Sequence, residues 1–419
     1  MNIKLYTPLT LALVLSAALL APTSQAAKPH ANKPAASAKA PAKSKKTDSD
    51  TQSLPSLEAQ ETLADHPPAL NSKAWLLMDY DSGQILAAAN ADEPLPPASL
   101  TKMMTSYLAE QALASGKIKE TDMVSVSLNA WCRGTNTESC MYLPLNSQAS
   151  VIDILRGIII QSGNDASKAL AEHMAGSEAG FAKLMNDEAA KLGMKNTHFV
   201  NATGLPDPEH KSTARDLAIL ARSIIQNSAK YYPIYAEREF KFNGIKQGNR
   251  NALLYTDNTV DGLKTGHTAE AGFCLVTSAK RNDMRLITVV LNTSSAKARA
   301  EMSRTLLGWG YSKFEKVTPI QADAVVAAAK VQFGKKDTVP AVLAAPWLLT
   351  VPHGVQVQTN VEIQPGLQAP VAKGAVIGKV VATANGKTVG ESPLVAQAEV
   401  ERSGLLLLGW QHVLRWFGK

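Results

Sequence analysis

A strand-like opening and a strand-like close, set on either side of a long helical middle, constrain this chain more than any other feature. Residues Ala74-Trp75-Leu76-Leu77-Met78-Asp79 read as a strand, Tyr80-Asp81-Ser82-Gly83 as a turn, and Gln84 to Ala89 as a second strand. Strand character returns only after residue 260, where Gly272 to Ala279, a turn at Arg281-Asn282-Asp283, and Arg285 to Leu291 form a hairpin. Arg299 to Leu307 follows as a closing helix. Between the two ends, apolar residues recur at helical spacing from Ser99 to Ala114, Val151 to Ile160, Asp165 to His173, Phe181 to Leu192 and Thr213 to Ile225. Strands at both ends enclosing helices imply an α+β domain with one long insertion, over residues 70–313.

The flanking segments differ in composition. Beyond Phe314 the chain turns Val-rich with Gly and Pro punctuation, and its short apolar runs (Ala324 to Val331, Trp347 to Val351, Val355 to Ile363, Val376 to Val381, Leu394 to Val400) predict a small β-sandwich or barrel over 314–404. Ahead of the α+β region, residues 27–69 are rich in Ala, Lys, Pro and Ser and read as a disordered spacer. Residues 1–26 read as a cleaved export signal: Lys4, the apolar run Leu9 to Leu20, then Ser24-Gln25-Ala26 before Ala27. That run is shorter than the roughly 20 residues a membrane span needs.

The net charge of +7 raises the question of nucleic acid, and its location answers it. Lys4, Lys28, Lys33, Lys39, Lys43, Lys45 and Lys46 carry the whole excess, so the folded region is balanced. No nucleic-acid partner is expected. Cys132 and Cys140 stand eight apart in a loop-like stretch, where an exported chain permits a bridge, although two free thiols are the simpler alternative. Cys274 lies in an alternating run and reads as a core residue. The cysteines and the eight histidines never converge on ligand spacing, so neither metal nor cofactor is expected.

Three clusters carry candidate chemistry. Ser99-Leu100-Thr101-Lys102 places a hydroxyl and an ammonium on one face at a helix start. A Lys withdrawn from water and near another cation can be neutral and accept the Ser proton. Ser162-Gly163-Asn164 sits between two helices, where Gly163 permits a tight turn that aims both polar side chains at one pocket. Lys264-Thr265-Gly266-His267-Thr268 has a Gly that lets the backbone approach a ligand at a sheet rim. Taken singly, Ser99 and Asn164 could be helix caps and Gly266 an ordinary turn.

Taken together and in this order, the clusters resemble those of the penicillin-recognising serine enzymes: Ser-x-x-Lys, Ser-x-Asn and Lys-Thr-Gly. The wider matches are Pro97 to Thr105, Ser162 to Ala166, Ser212 to Asp216 and Asp261 to Thr268. Within that group the chain is similar to low-molecular-mass penicillin-binding proteins of the D-alanyl-D-alanine carboxypeptidase kind, over residues 70–404. The resemblance implies the penicillin-binding-protein/β-lactamase-like transpeptidase fold, with Ser99 the acylated nucleophile and Lys102 its base. It implies Ser162 as proton relay, Asn164 as orienter of Lys102 and of the substrate amide, and Lys264 as the positive field on Lys102. Thr265, Gly266, His267, Thr268 and Arg250 would form the substrate-binding rim, with the Ser99 and His267 N–H groups as the oxyanion hole.

The implied activity is removal of the terminal D-alanine from peptidoglycan pentapeptide stems through an acyl-enzyme, with β-lactams as covalent inhibitors. A D,D-endopeptidase acting on cross-links is the nearest alternative, and a non-catalytic wall-binding protein the more distant one. A class A β-lactamase lacks the second domain and carries a further deacylating Glu, for which no match in its family context is seen. The Cys132 to Cys140 loop departs from the commoner family pattern. In residues 405–419, Trp410, Val413, Leu414 and Phe417 stand at i, i+3, i+4 and i+7, so an amphipathic helix is expected to hold the protein to the periplasmic face of the inner membrane.

Overall fold

The computed structural model describes residues 57–133 and 138–404. The export signal expected over 1–26, most of the expected spacer, and the amphipathic helix expected over 405–419 lie outside the described residues.

Six strands form one antiparallel sheet in the order Glu61–Thr62, Ile85–Ala89, Ala74–Asp79, Met284–Thr293, Gly272–Arg281 and Val260–Thr268. The two ends of the region meet at its centre, where Leu76 pairs with Val289 and Trp75 with Val290. Alternation along a strand sends successive side chains to opposite faces. Both faces here are covered. Leu76, Met78, Val276, Ile287 and Val289 pack toward the helical insertion, while Trp75, Leu77, Leu275, Leu286 and Val290 pack toward the closing helix. That double burial is why these strands read as nearly continuous apolar runs.

The insertion contains α1 (Lys102–Ala114), α2 (Val151–Arg156), α3 (Asn164–Ala175), α4 (Glu178–Leu192) and α5 (Ala214–Asn227), and α6 (Ala296–Lys313) closes the region. Helix α1 is buried nearly all round, with Met103, Met104, Tyr107, Ala109 and Leu113 in the core. It runs through the middle of the insertion, and a 3-10 turn at Ala98–Thr101 feeds into it. Three of the later helices are capped by side chains: Ser177, Thr213 and Ser295 accept the N–H of Gly180, Asp216 and Ala298, so α4 and α6 begin three residues ahead of the Phe181 and Arg299 starts that the sequence suggests. After α2 the chain makes a π turn over Gly157–Gln161, turns left-handed at Ser162 (φ 66°, ψ 36°) and restarts as α3 at Asn164.

The spacer expected to run through residue 69 is corrected at its C-terminal end. Leu57 bridges Leu70, Glu61–Thr62 pairs with Ala87 and Ala88 at the sheet edge, and Trp75 Nε1 donates to the Leu57 carbonyl at 3.3 Å. Leu57, Leu63 and Leu70 supply apolar surface that averaging over an Ala/Lys/Pro-rich stretch conceals.

Beyond α6 a five-stranded antiparallel sheet runs in the order Ala327–Lys330, Thr338–Leu343, Lys387–Ala396, Val376–Ala384, Gln358–Ile363. A two-stranded ribbon, Phe314–Val317 with Leu349–Pro352, lies beside it, giving the small C-terminal β fold that the sequence suggests. Lys316 of the ribbon reaches back to Asp79 and Asp81 of the first hairpin at 2.7 and 2.6 Å.

Candidate active site

The three clusters converge. Lys102 Nζ donates to Ser99 Oγ at 3.0 Å, to Asn164 Oδ1 at 2.7 Å and to the Thr203 carbonyl at 2.6 Å. The first contact follows from the short step between 3-10 turn and helix, which places residues three apart on one face. The second follows from the left-handed turn at Ser162, which starts α3 with Asn164 pointing at Lys102. Ser162 Oγ is buried and has no hydrogen-bond partner among the described residues.

The Val260–Thr268 strand forms the opposite wall. At Gly266 a Cβ would stand 3.0 Å from the Pro97 carbonyl and 3.3 Å from Ala98 Cβ, so glycine permits this strand to lie against the turn that carries Ser99. Ser99, Ser162, Asn164, Arg250, Thr265, Gly266, His267 and Thr268 all line one cavity of about 530 Å³. Lys102 and Lys264 are buried beneath that lining.

Burial is the chief reason that the Lys102 ammonium is pushed down to about 7, and the Arg250 guanidinium pushes in the same direction. Glu138, Asp165 and Glu178 oppose it. Lys264 is driven well below the ordinary ammonium range by burial and by the positive charges of Lys102, Arg250 and Arg299. Lys102 and Lys264 repel each other across the buried site, and Arg250, assigned by the sequence only to the substrate rim, adds to the positive field on Lys102. Lys264 Nζ is turned to the Thr265 carbonyl at 3.1 Å.

Several groups that shape the site were missed by sequence reasoning. Asn201 Oδ1 accepts from the N–H groups of Thr203 and Gly204, and this turn presents the Thr203 carbonyl to Lys102. Asp165 accepts from the N–H groups of Met141 and Leu143 and so draws the 138–143 segment against α3. On that segment, Ser139 Oγ accepts from Arg250 Nη1 at 2.8 Å, and Glu138 Oε2 accepts from Asn164 Nδ2 at 2.7 Å. Arg299 of α6 also lines the cavity and donates to the Gly266 carbonyl at 2.9 Å. His210 Nδ1 accepts from the Val200 N–H, which leaves Nε2 as the donor to Thr101 Oγ1 at 2.7 Å.

Cys132 and Cys140 are joined by a disulfide, with Cα atoms 6.3 Å apart, and Cys274 is a buried free thiol. The loop closed by that bridge is the one that delivers Glu138 and Ser139 to the cavity.

Known proteins share both the sequence and the shape. The family model for D-alanyl-D-alanine carboxypeptidase matches residues 61–295, and the model for the C-terminal domain of penicillin-binding protein 5 matches 314–402. The D-alanyl-D-alanine carboxypeptidase DacC of Escherichia coli K12 is 45% identical over 362 residues, covering 84% of this chain and 90% of that protein. DacF of Bacillus subtilis is 35% identical over 345 residues, covering 81% and 88%. The crystal structure of penicillin-binding protein 5 from Haemophilus influenzae superposes with a TM-score of 0.76 at 44% identity, over 80% of this chain and 99% of that one. With the Ser-x-x-Lys, Ser-x-Asn and Lys-Thr-Gly clusters brought to a single cavity in the fold of these relatives, the chain belongs to the D-alanyl-D-alanine carboxypeptidase family of penicillin-binding serine peptidases.

Proposed function

We propose that this protein is a serine-type D-Ala-D-Ala carboxypeptidase of the periplasm, with Ser99 as its nucleophile. The observation that carries the reading is the contact of a buried, easily neutralised Lys102 with Ser99 Oγ inside a cavity rimmed by Arg250 and Thr265. Ser99 Oγ attacks the carbonyl carbon between the last two D-alanines of a peptidoglycan stem, and its proton passes to Lys102 Nζ. Negative charge gathers on the carbonyl oxygen, where the Ser99 and His267 N–H groups receive it. Collapse breaks the C–N bond, and the proton on Lys102 returns through Ser162 Oγ to the departing amine. Water then hydrolyses the Ser99 ester.

Arg250, Thr265 and Thr268 hold the substrate carboxylate, with Lys264 buried beneath them. A β-lactam follows the same first step, but its leaving amine stays tethered to the acyl group, so the ester persists. Residues 405–419 attach the enzyme to the periplasmic face of the inner membrane as an amphipathic helix.

Purified protein should take up a fluorescent penicillin, with the adduct on the tryptic peptide containing Ser99, and should release D-alanine from a pentapeptide. Ser99→Ala should abolish both. An adduct on Ser162, or undiminished D-alanine release by Ser99→Ala, overturns the assignment.

A further inference from the structure

Asn164 is held at both ends of its amide. Its Oδ1 accepts from Lys102 Nζ at 2.7 Å and its Nδ2 donates to Glu138 Oε2 at 2.7 Å. An ionised carboxylate can only accept, and an ammonium can only donate. Were the amide reversed, its oxygen would face the Glu138 carboxylate and its NH2 the Lys102 ammonium. Glu138 therefore selects the one orientation in which Asn164 serves Lys102.

The carboxylate is itself secured. Ser139, the next residue, accepts from Arg250 through its side chain and from the Asn164 N–H through its carbonyl at 2.7 Å. The segment is fastened by the bonds from the Met141 and Leu143 N–H groups to Asp165. It is fastened as well at Cys140 by the disulfide, with a Glu138 carboxylate oxygen within 4.8 Å of both sulfurs. Glu138 also lines the cavity.

We propose that Glu138 is a positioning residue for acylation, fixing the Asn164 amide and supplying a negative charge that holds the proton on Lys102. The proposal rests on the reading of Ser99 and Lys102 given above. The charged and titratable groups facing Lys102 from the surrounding elements are Arg250, Lys264, Glu138, Asp165, Glu178 and His210. Among the acids Glu138 exerts the largest pull, and it is the one joined to Lys102 through a single shared side chain.

The test is the pH dependence of the second-order rate of acylation by a fluorescent penicillin, for the intact protein and for Glu138→Gln and Glu138→Ala. Lys102 must be neutral to accept a proton, so the rate climbs as pH passes its pKa, and loss of the negative charge moves that climb to lower pH. The expected displacement is roughly 0.5 to 1 pH unit in both variants. Gln can still accept from Asn164 Nδ2 and Ala cannot, so the plateau should fall further in Glu138→Ala, by about tenfold.

A residue that merely supports the loop would lower the plateau and leave the climb in place. Curves for both variants that rise at the parent's pH overturn the proposal, even if the plateaus drop. A parent protein that takes no label at any pH would instead overturn the reading of the site, and the proposal with it. Thermal melts in the same buffers show that each variant is folded.

Discussion

Gly204 touches the carbonyl of Ala98, backbone against backbone, one residue before Ser99. Gly204 has φ +81° and Ala98 φ +48°, so both residues of the contact occupy the left-handed region, and a Cβ on Gly204 would collide with the Ala98 oxygen. The residue before Gly204 is Thr203, whose carbonyl accepts from Lys102. A single contact thus ties the acceptor of the base to the turn that holds the nucleophile.

Gly204→Ala should separate them. Strain at positive φ adds to the collision, so stability should fall by about 2–4 kcal/mol. A displacement of the order of an ångström at Ser99 should slow acylation about 100-fold. Thermal melting and the rate of penicillin labelling measure the two effects, and a variant matching the parent in both would show that the turn yields without consequence.

Lys102→Arg should be inert toward penicillin at every working pH, because the guanidinium keeps its proton. In the parent, only neutral Lys102 can take the Ser99 proton. With its pKa at about 7, the acylation rate should rise as pH increases through 7 and level off above it. An Arg variant acylated within tenfold of the parent would place the base elsewhere.

His210 carries a separate pH signal. Burial pushes its pKa down to about 4, against about 6.5 in the unfolded chain. As pH falls below 6.5 the unfolded chain binds this proton first, so stability present above 6.5 is lost progressively until pH 4, where both states are protonated. The loss should be about 3 kcal/mol. His210→Gln should flatten that part of the curve when urea unfolding is compared with the parent across this range. Parallel curves for the two proteins would count against it.

Removal of residues 409–419 should release the mature protein from anionic liposomes while D-alanine release from a soluble peptide stays near normal. The deleted segment carries Trp410, Phe417, Arg415 and Lys419 and none of the residues around the cavity. A helix of that length spans about 15 Å, half the hydrocarbon core, so attachment should be interfacial and sensitive to salt. Flotation of the shortened protein together with the lipid would refute the anchor.

The side chains at the centre of the site were legible in the sequence because their chemistry is local. Ser99 and Lys102 are one turn apart, and Ser162 to Asn164 interrupt two helices whose apolar patterns are plain. Thr203 was invisible, since a backbone carbonyl has no residue type to betray it and its partner lies far away in sequence. Glu138 sat in a loop without periodicity, and Arg299 stood at the start of the expected closing helix with no motif around it to mark it.

The fold was read on the same terms. The double-faced strands announced themselves, whereas Glu61–Thr62 is two polar residues on an edge. Thr338–Leu343 was obscured by Pro340, which is tolerated because the ladder to Leu394–Ala396 begins only at Ala341.

Lys316 bears on whether the two halves of this protein are modular. Its ammonium is nearly sealed between Asp79, which is wholly shielded from water, and Asp81, yet the acids belong to the first hairpin and the cation to the strand that follows α6. Cutting the chain at residue 313 would leave Asp79 an uncompensated anion, a defect that commonly costs 3–5 kcal/mol when one partner of a buried pair is removed. The N-terminal half is therefore no portable cassette. A transplant that keeps the peptidase sound must carry the ribbon with it, and one that exchanges the C-terminal β fold must supply a lysine at the same place.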